Sequence, residues 1–319
     1  MPAPAHDDVL AESEAFDAYE ENAAKEIRRW ADGDPSALSK ALRLLSKPLD
    51  WAAERSATES AMKEVNERIV AVLDSLSEAS TWTYDPEHVL GRARDDIDLA
   101  DTASLADLRA APMPRLDELA RTFFTENTIL SALEGGGTGL GGVALLAADV
   151  PILFTINLRL IQQVAASYGF RFGGPRARPL VLRVFSAAVA DTPEARQEAL
   201  RELRAAGKAA ARGEAPGTDR DGIGVAAASS EGTDPQGTDP QGTDPQGKGT
   251  DTTENQSRVL INEIARNIAA REMAQLIPLA GAATGAGLNY WFTSATAEAA
   301  YMLSRALFLE HRRLQQQQA

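Results

Sequence analysis

The chain has 319 residues, a net charge of −14, 44% hydrophobic residues, no cysteine and only three histidines. Without thiols there are no disulfides, thiolate zinc sites, iron–sulfur clusters or cysteine nucleophiles, and His6, His88 and His311 are too few for a multi-histidine metal site. The acidic balance excludes the basic footprint of a nucleic-acid binder, while 58 alanines favour helices throughout.

Helical spacing runs from about Val9 to Trp30, with Asp7 or Asp8 placed to cap its start. Asp34-Pro35 opens a short helix, Lys47-Pro48 ends it, and an amphipathic helix follows over Leu49 to Leu76. Asp85 caps a short helix at DPEHVLG, a second short one is expected over Asp101 to Arg109, and another runs from Arg115 to about Leu133. The stretch EGGGTGLGGVALLAADVPILFTINLRLIQQVAASYGF then reads as two apolar helices, 135–148 and 151–168, broken at Asp149-Val150-Pro151. Asp149 is placed to cap the second, and Gly169 follows Tyr168 as its C′ residue. That helix is apolar nearly all round except for a stripe of Thr155, Arg159 and Gln162, so it is expected inside protein or lipid. Arg159 there calls for a structural salt bridge or a helix-end contact.

Helices are expected next over Pro179–Ala190 and Pro193–Ala211. Residues 213–252 carry three consecutive GTDPQ units with no apolar face to bury, which predicts a disordered linker. One carboxylate per five residues is too few for calcium. A helix over Glu254 to Leu276 resumes the fold. From Met273 to Ala297 no residue is charged, and a terminal helix is expected over Thr293 to Arg313.

No catalytic constellation emerges. GxSxG, HExxH and kinase loops are missing, and no catalytic, cofactor-binding or metal residue is assigned. Gly137, Gly139 and Gly142 spell GxGxxG, but no strand precedes them and no acidic residue stands about 20 positions on. Glycine serves close helix packing instead. Gly137 with Gly141, Gly281 with Gly285, and Ala283 with Gly287 form small-xxx-small pairs. The apolar segments carrying them either pack in a tight core or form a membrane-contacting hairpin. At 14 and 18 residues the two helices would be about 21 and 27 Å long, which suits a buried or re-entrant hairpin better than a two-pass anchor.

Three of these stretches resemble the bacterial EcsC family. ALLAADVPILFTINLRLIQQVAASYGF after a Gly-rich run is similar to one family pattern, with Gly137, Gly141, Asp149, Pro151, Arg159, Tyr168 and Gly169 at the matching positions. AQLIPLAGAATGAGLNYWFT resembles a second, through Pro278, Gly281, Gly285, Gly287, Asn289 and Tyr290, and KPLDWAAER a weaker third. The resemblance implies a helical protein without established catalysis, in a family named for a member encoded beside an ABC transporter involved in secretion. It implies structural roles for these positions.

The expected fold is all-α, a multi-helix bundle with two Gly/Ala-rich apolar segments packed together. Its parts are an acidic N-terminal region (1–118, net −13), an apolar core (119–212), the linker (213–252) and C-terminal helices completing the core (253–319). The acidic N-terminus lacks an apolar h-region, so a cytoplasmic protein is expected. The function expected is non-enzymatic and needs no cofactor: peripheral association with the inner membrane or with a membrane transporter. The alternatives are a ligand-binding module or enzyme with a pocket walled by the Gly-rich segments, Arg159 or Asn289 facing the ligand, and a scaffold whose acidic helices dock a basic partner.

Overall fold

The computed structural model describes residues 16–33, 67, 70, 71, 84–100, 102–138, 143–172, 178–190, 192–211, 257–266 and 281–318. All regular structure among them is helical, with no strand. The GTDPQ linker, Gly141, Pro278 and the expected helix over Leu49 to Leu76, apart from three of its residues, lie outside them.

Helix α1 (Ala18–Asp32) starts at Asp17, whose carboxylate accepts the backbone N–H groups of Tyr19 and Glu20. The expected start near Val9 is thereby corrected. Asp17 supplies the acceptor that the first-turn amides need, and the chain before it at Phe16 is already non-helical. Ala23, Ile27 and Trp30 form the buried stripe at helical spacing. Helix α2 (Pro86–Asp96) carries the expected Asp85 cap with proline in its first turn. The single-turn α3 (Leu105–Leu108) is held by Asp107, which accepts the backbone N–H of Ser104 at 2.7 Å.

Helix α4 (Met113–Thr138) and helix α5 (Val143–Ser167) replace the expected hairpin. Residues 135–148 are not one helix: Gly135–Gly137 end α4, and Val143 already belongs to α5. Nor does α5 break at Asp149-Val150-Pro151. Proline deletes one amide donor from the ladder, but the other amides of that turn keep their helical acceptors, so no orphan N–H is left for Asp149 to cap. Helix α5 is already under way at Val143, six residues before the expected break.

The C-terminal end of α5 matches expectation in detail. The Phe170 N–H bonds the Ala165 carbonyl at 3.0 Å and the Gly169 N–H bonds that of Ala166 at 2.9 Å, a Schellman arrangement with Gly169 at φ +80°. Helices α6 (Arg178–Ala190) and α7 (Pro193–Ala211) come next, the second opened by Thr192, whose hydroxyl accepts the Ala195 N–H. Residues 257–266 are helical, and Ser186 on α6 donates to Glu263 there.

The last element, α8 (Gly281–Gln318), is a single helix of 38 residues, about 57 Å long. The terminal helix expected to begin near Thr293 is the later part of this one. Gly281, Gly285 and Gly287 lie in its first two turns, where the ladder proceeds without interruption.

Helix α8 packs against α1, α4, α5, α6 and α7, and α4 packs against α5. Pairings fix the directions. Arg121 meets Tyr301, Asp117 meets Arg305, and Arg312 donates to the Ala111 carbonyl, so α4 and α8 are antiparallel. Asn157 bonds Thr293 while Tyr168 packs on Tyr301 and Phe308, so α5 and α8 are parallel. These directions bring the C-terminal half of α4, the start of α5 and the start of α8 to one end of the bundle. Phe154, Phe185 and Phe292, with ring centroids 5.1 to 5.9 Å apart, join α5, α6 and α8. Each buried ring of this size adds roughly 1.5–3 kcal/mol.

Candidate functional site: a buried charge cluster and the cleft beside it

Asp117, completely buried on the core-facing stripe of α4, is where four elements converge. Its carboxylate accepts the Tyr168 hydroxyl at 2.5 Å and the Tyr19 hydroxyl at 2.7 Å, and pairs with the Arg305 guanidinium at 3.0 Å. Arg305 is itself buried on α8 and pairs on its other side with Glu26 of α1 at 2.7 Å. Its guanidinium lies 4.8 Å from the centre of the Tyr301 ring, a cation–π contact, and the Tyr301 hydroxyl accepts from Arg121 at 3.1 Å.

Local folding explains the convergence. The Schellman turn fixes Tyr168 immediately after the last residue of α5, and the Asp17 cap sets Tyr19 in the first turn of α1.

Burial, reinforced by the bond to Asp117, raises the Tyr19 phenol to about 12. Burial likewise holds Tyr168 well above its ordinary value, again with Asp117 adding to it, and Tyr301 is raised for the same two causes. Burial alone would lower Arg305; the Asp117 and Glu26 carboxylates outweigh it and hold the guanidinium above its ordinary range. All three phenols are therefore neutral at physiological pH, and Tyr19 and Tyr168 donate to Asp117. Removing charges from water costs several kcal/mol per ion, and an excellent geometry like this one is what offsets it. With Asp117 sealed from solvent and its oxygens already engaged, the cluster has no room for a substrate. It is a clamp.

Beside the clamp a cleft of about 610 Å³ opens between α1, α4, α6, α7 and α8. Trp30, Phe124, Trp291 and Tyr301 wall it, Ala187, Ala188, Ala295 and Ala299 make room in it, and Arg121, Arg196 and Glu298 are its charged residues. Arg196 is buried there, donating to the Trp30 carbonyl at 2.9 Å and to that of Gly33 at 3.2 Å.

The sequence-derived candidates fall elsewhere. Gly137 lies in the last turn of α4, Asp149 and Pro151 within α5, and Gly281, Gly285 and Gly287 at the start of α8. Asn289 is half-buried and Tyr290 half-exposed. Neither Arg159 nor Asn289 lines this cleft, which alanines and aromatics build. Arg159 is also not buried. It is exposed beside Thr155, with no ion pair to a described residue, because the polar stripe of α5 splits: Gln162 turns inward and donates to the Phe172 carbonyl at 3.0 Å. Only Tyr168 joins the clamp, with Gly169 as its support.

Asp117, Arg305, Tyr19, Glu26 and Tyr301 were missed by sequence reasoning. A signal existed: Asp117 interrupts the stripe Met113, Leu116, Ala120, Phe123, and Arg305 the stripe Ala300, Leu303, Leu307. A charge on an apolar stripe demands a buried partner.

The pattern of the EcsC protein family matches residues 21–307, from α1 through most of α8. The chain belongs to the EcsC protein family. Two relatives from Bacillus subtilis (strain 168) share local similarity with it. The uncharacterized protein YdbA is 33% identical over 101 residues, 32% of this chain and 37% of YdbA. Protein EcsC is 33% identical over 82 residues, 26% of this chain and 35% of that protein. The matched segments thus span little more than a third of those relatives' length. No solved structure matches the chain. The EcsC family region contains both ends of the clamp, Glu26 and Arg305, so the match runs across the ion pair that joins the first helix to the last.

Proposed function

We propose that this EcsC-family chain is a non-enzymatic helical protein of the bacterial cytoplasm that attaches peripherally to the inner membrane through one end of its bundle. The reading rests on where five of the six exposed large hydrophobics among the described residues lie. Ile129, Leu130 and Leu133 on α4, Ile152 on α5 and Tyr290 on α8 are 44–71% exposed, and helix directions put all five toward the same end. Scattered single hydrophobics are ordinary on a surface, whereas a group from three helices at one end suits an apolar environment.

No described helix is long and apolar enough to cross a membrane, so attachment would be shallow. Arg159 fits the same picture: it is exposed on α5 seven residues from Ile152, about 10 Å along the helix, a depth that suits a lipid headgroup when Ile152 reaches the acyl boundary. A membrane transporter docking on this end is the analogous protein-partner reading, carried only by the family resemblance.

Sedimentation of the full chain with vesicles tests the reading. Binding is expected to vesicles of phosphatidylcholine mixed with phosphatidylglycerol, and is expected to disappear in Ile129→Asp/Leu133→Asp, which changes two exposed positions. Arg159→Gln should lower binding to the anionic vesicles toward that on pure phosphatidylcholine. A wild-type chain that stays in the supernatant with both compositions would overturn the proposal.

A further inference from the structure

The cleft beside the clamp has a size, a lining and a charge that the clamp does not use. Its volume of about 610 Å³ is in the range that small-molecule sites occupy. The hollow exists because α6 and α8 present alanines (Ala187, Ala188, Ala295 and Ala299) where larger side chains would close the gap. Around them stand aromatic rings from three helices, a lining that favours a flat apolar body.

Charge selects among such bodies. The molecule carries −14, yet this cleft holds two guanidinium groups against one carboxylate, a local excess of one positive charge. Arg196 is engaged with two backbone carbonyls deep in the wall. Arg121 stands differently: it is exposed, donates one Nη2–H to Tyr301, and lies 5.6 Å from the centre of that ring, which orients its planar fork. A guanidinium held on an aromatic face at the edge of an apolar hollow matches a carboxylate attached to a flat hydrocarbon. Ser294, also in the lining, has a buried hydroxyl without a hydrogen-bond partner among the described residues.

We infer that this cleft is a binding site for a small monoanionic molecule with a flat apolar body, an arene carboxylate in chemical class, its anion on Arg121 and its body against Phe124 and the alanines. Occupancy would tighten Tyr301, which also packs on Arg305, so ligand binding would stabilise the clamp as well as fill the cleft. The cleft shares no residue with the apolar end proposed for membrane attachment, so either reading can fail without the other.

The test uses 2-naphthoate and its uncharged isostere 2-naphthamide on the full chain, by calorimetry and by quenching of tryptophan fluorescence. Saturable 1:1 binding of 2-naphthoate is expected, with 2-naphthamide roughly tenfold weaker or more, the scale of one charge-assisted hydrogen bond. Arg121→Gln, at an exposed position, should weaken 2-naphthoate by a similar factor and leave 2-naphthamide unchanged. Ala295→Phe, at a half-buried position of the lining, should abolish binding of both while the helical circular dichroism is retained. If Ala295→Phe unfolds the chain, the Arg121→Gln comparison still decides. Failure of 2-naphthoate to bind at millimolar concentration, equal affinity for the two probes, or an Arg121→Gln chain that binds 2-naphthoate as wild type does would each overturn the inference.

Discussion

Asp117 shows how much a single buried residue organises. It accepts two phenols and one guanidinium from three different helices; burial holds the phenols protonated, and the carboxylates hold the guanidinium so. That has a consequence at high pH. Tyr19 and Tyr84 are raised to about 12, both chiefly by burial, and Tyr168 and Tyr301 are raised as well. The unfolded chain sheds these protons near pH 10 while the native state keeps them. Stability from these groups is therefore complete below pH 10 and falls as the pH rises through 12. On the acid side His311, pushed down to about 4 by burial and by Arg109 and Arg312, works in the opposite sense: its contribution is present above pH 6.5 and lost on falling to 4. Thermal melts followed by circular dichroism from pH 3 to 12 should show both flanks, with phenolate absorbance lagging until the chain unfolds. A melting temperature unchanged between pH 10 and 12 would contradict the burial of the phenols. Composition could not reveal this residue, since Asp117 is one of 46 acidic residues and only its place on an apolar stripe sets it apart.

At the level of elements, legibility followed whether the deciding interaction was local. The Asp85 cap, the start of α7 at Pro193 and the Gly169 terminus were readable because each depends on a few adjacent residues. Pro151 misled because its local cost is outweighed by a helix whose following turns, through Leu153, Phe154, Leu158 and Ile161, are buried in the core. Two glycines that look alike in sequence separate on the same ground. At Gly169 the backbone is at φ +80°, and an added Cβ would stand 2.6 Å from both the Leu105 carbonyl oxygen and the Arg109 Cγ. At Gly207 the backbone is helical, and the Cβ would meet only the Leu307 Cδ1, at 2.7 Å, the mobile tip of a side chain. Gly169→Ala is expected to destabilise by about 1–3 kcal/mol, the strain of a left-handed non-glycine plus an unyielding backbone contact. Gly207→Ala should come out near neutral, since the helix-propensity gain of about 1 kcal/mol offsets the shift of Leu307. Urea denaturation of the two variants decides it, and equal losses would refute the distinction.

Over the whole molecule, charge and architecture are distributed in ways the averages conceal. The excess negative charge belongs to residues 1–118, yet that acidic part supplies Glu26 and Asp117, which meet the one buried arginine of α8. Helices α1 and α8 are thus joined by an ion pair across 279 residues of sequence. Among the described residues, helix α8 is held by the side chains of five other helices, because its ion pairs, its Phe292 and Phe308 contacts and its Gly207 approach are to segments distant in sequence. The covalent link then matters mainly through loop-closure entropy, a few kcal/mol that rises only logarithmically with length. Two polypeptides, 1–211 and 257–319, coexpressed with a tag on the shorter one alone, should therefore copurify as a 1:1 helical complex. Asp117→Asn in the longer piece should sharply reduce its recovery, because it leaves the Arg305 cation buried with half its partners, a loss of about 3–5 kcal/mol for a broken buried pair. Recovery of the tagged piece alone under conditions where the intact chain is folded would show that α8 depends on its connection, and that the clamp is a consequence of the fold rather than what fastens its two ends.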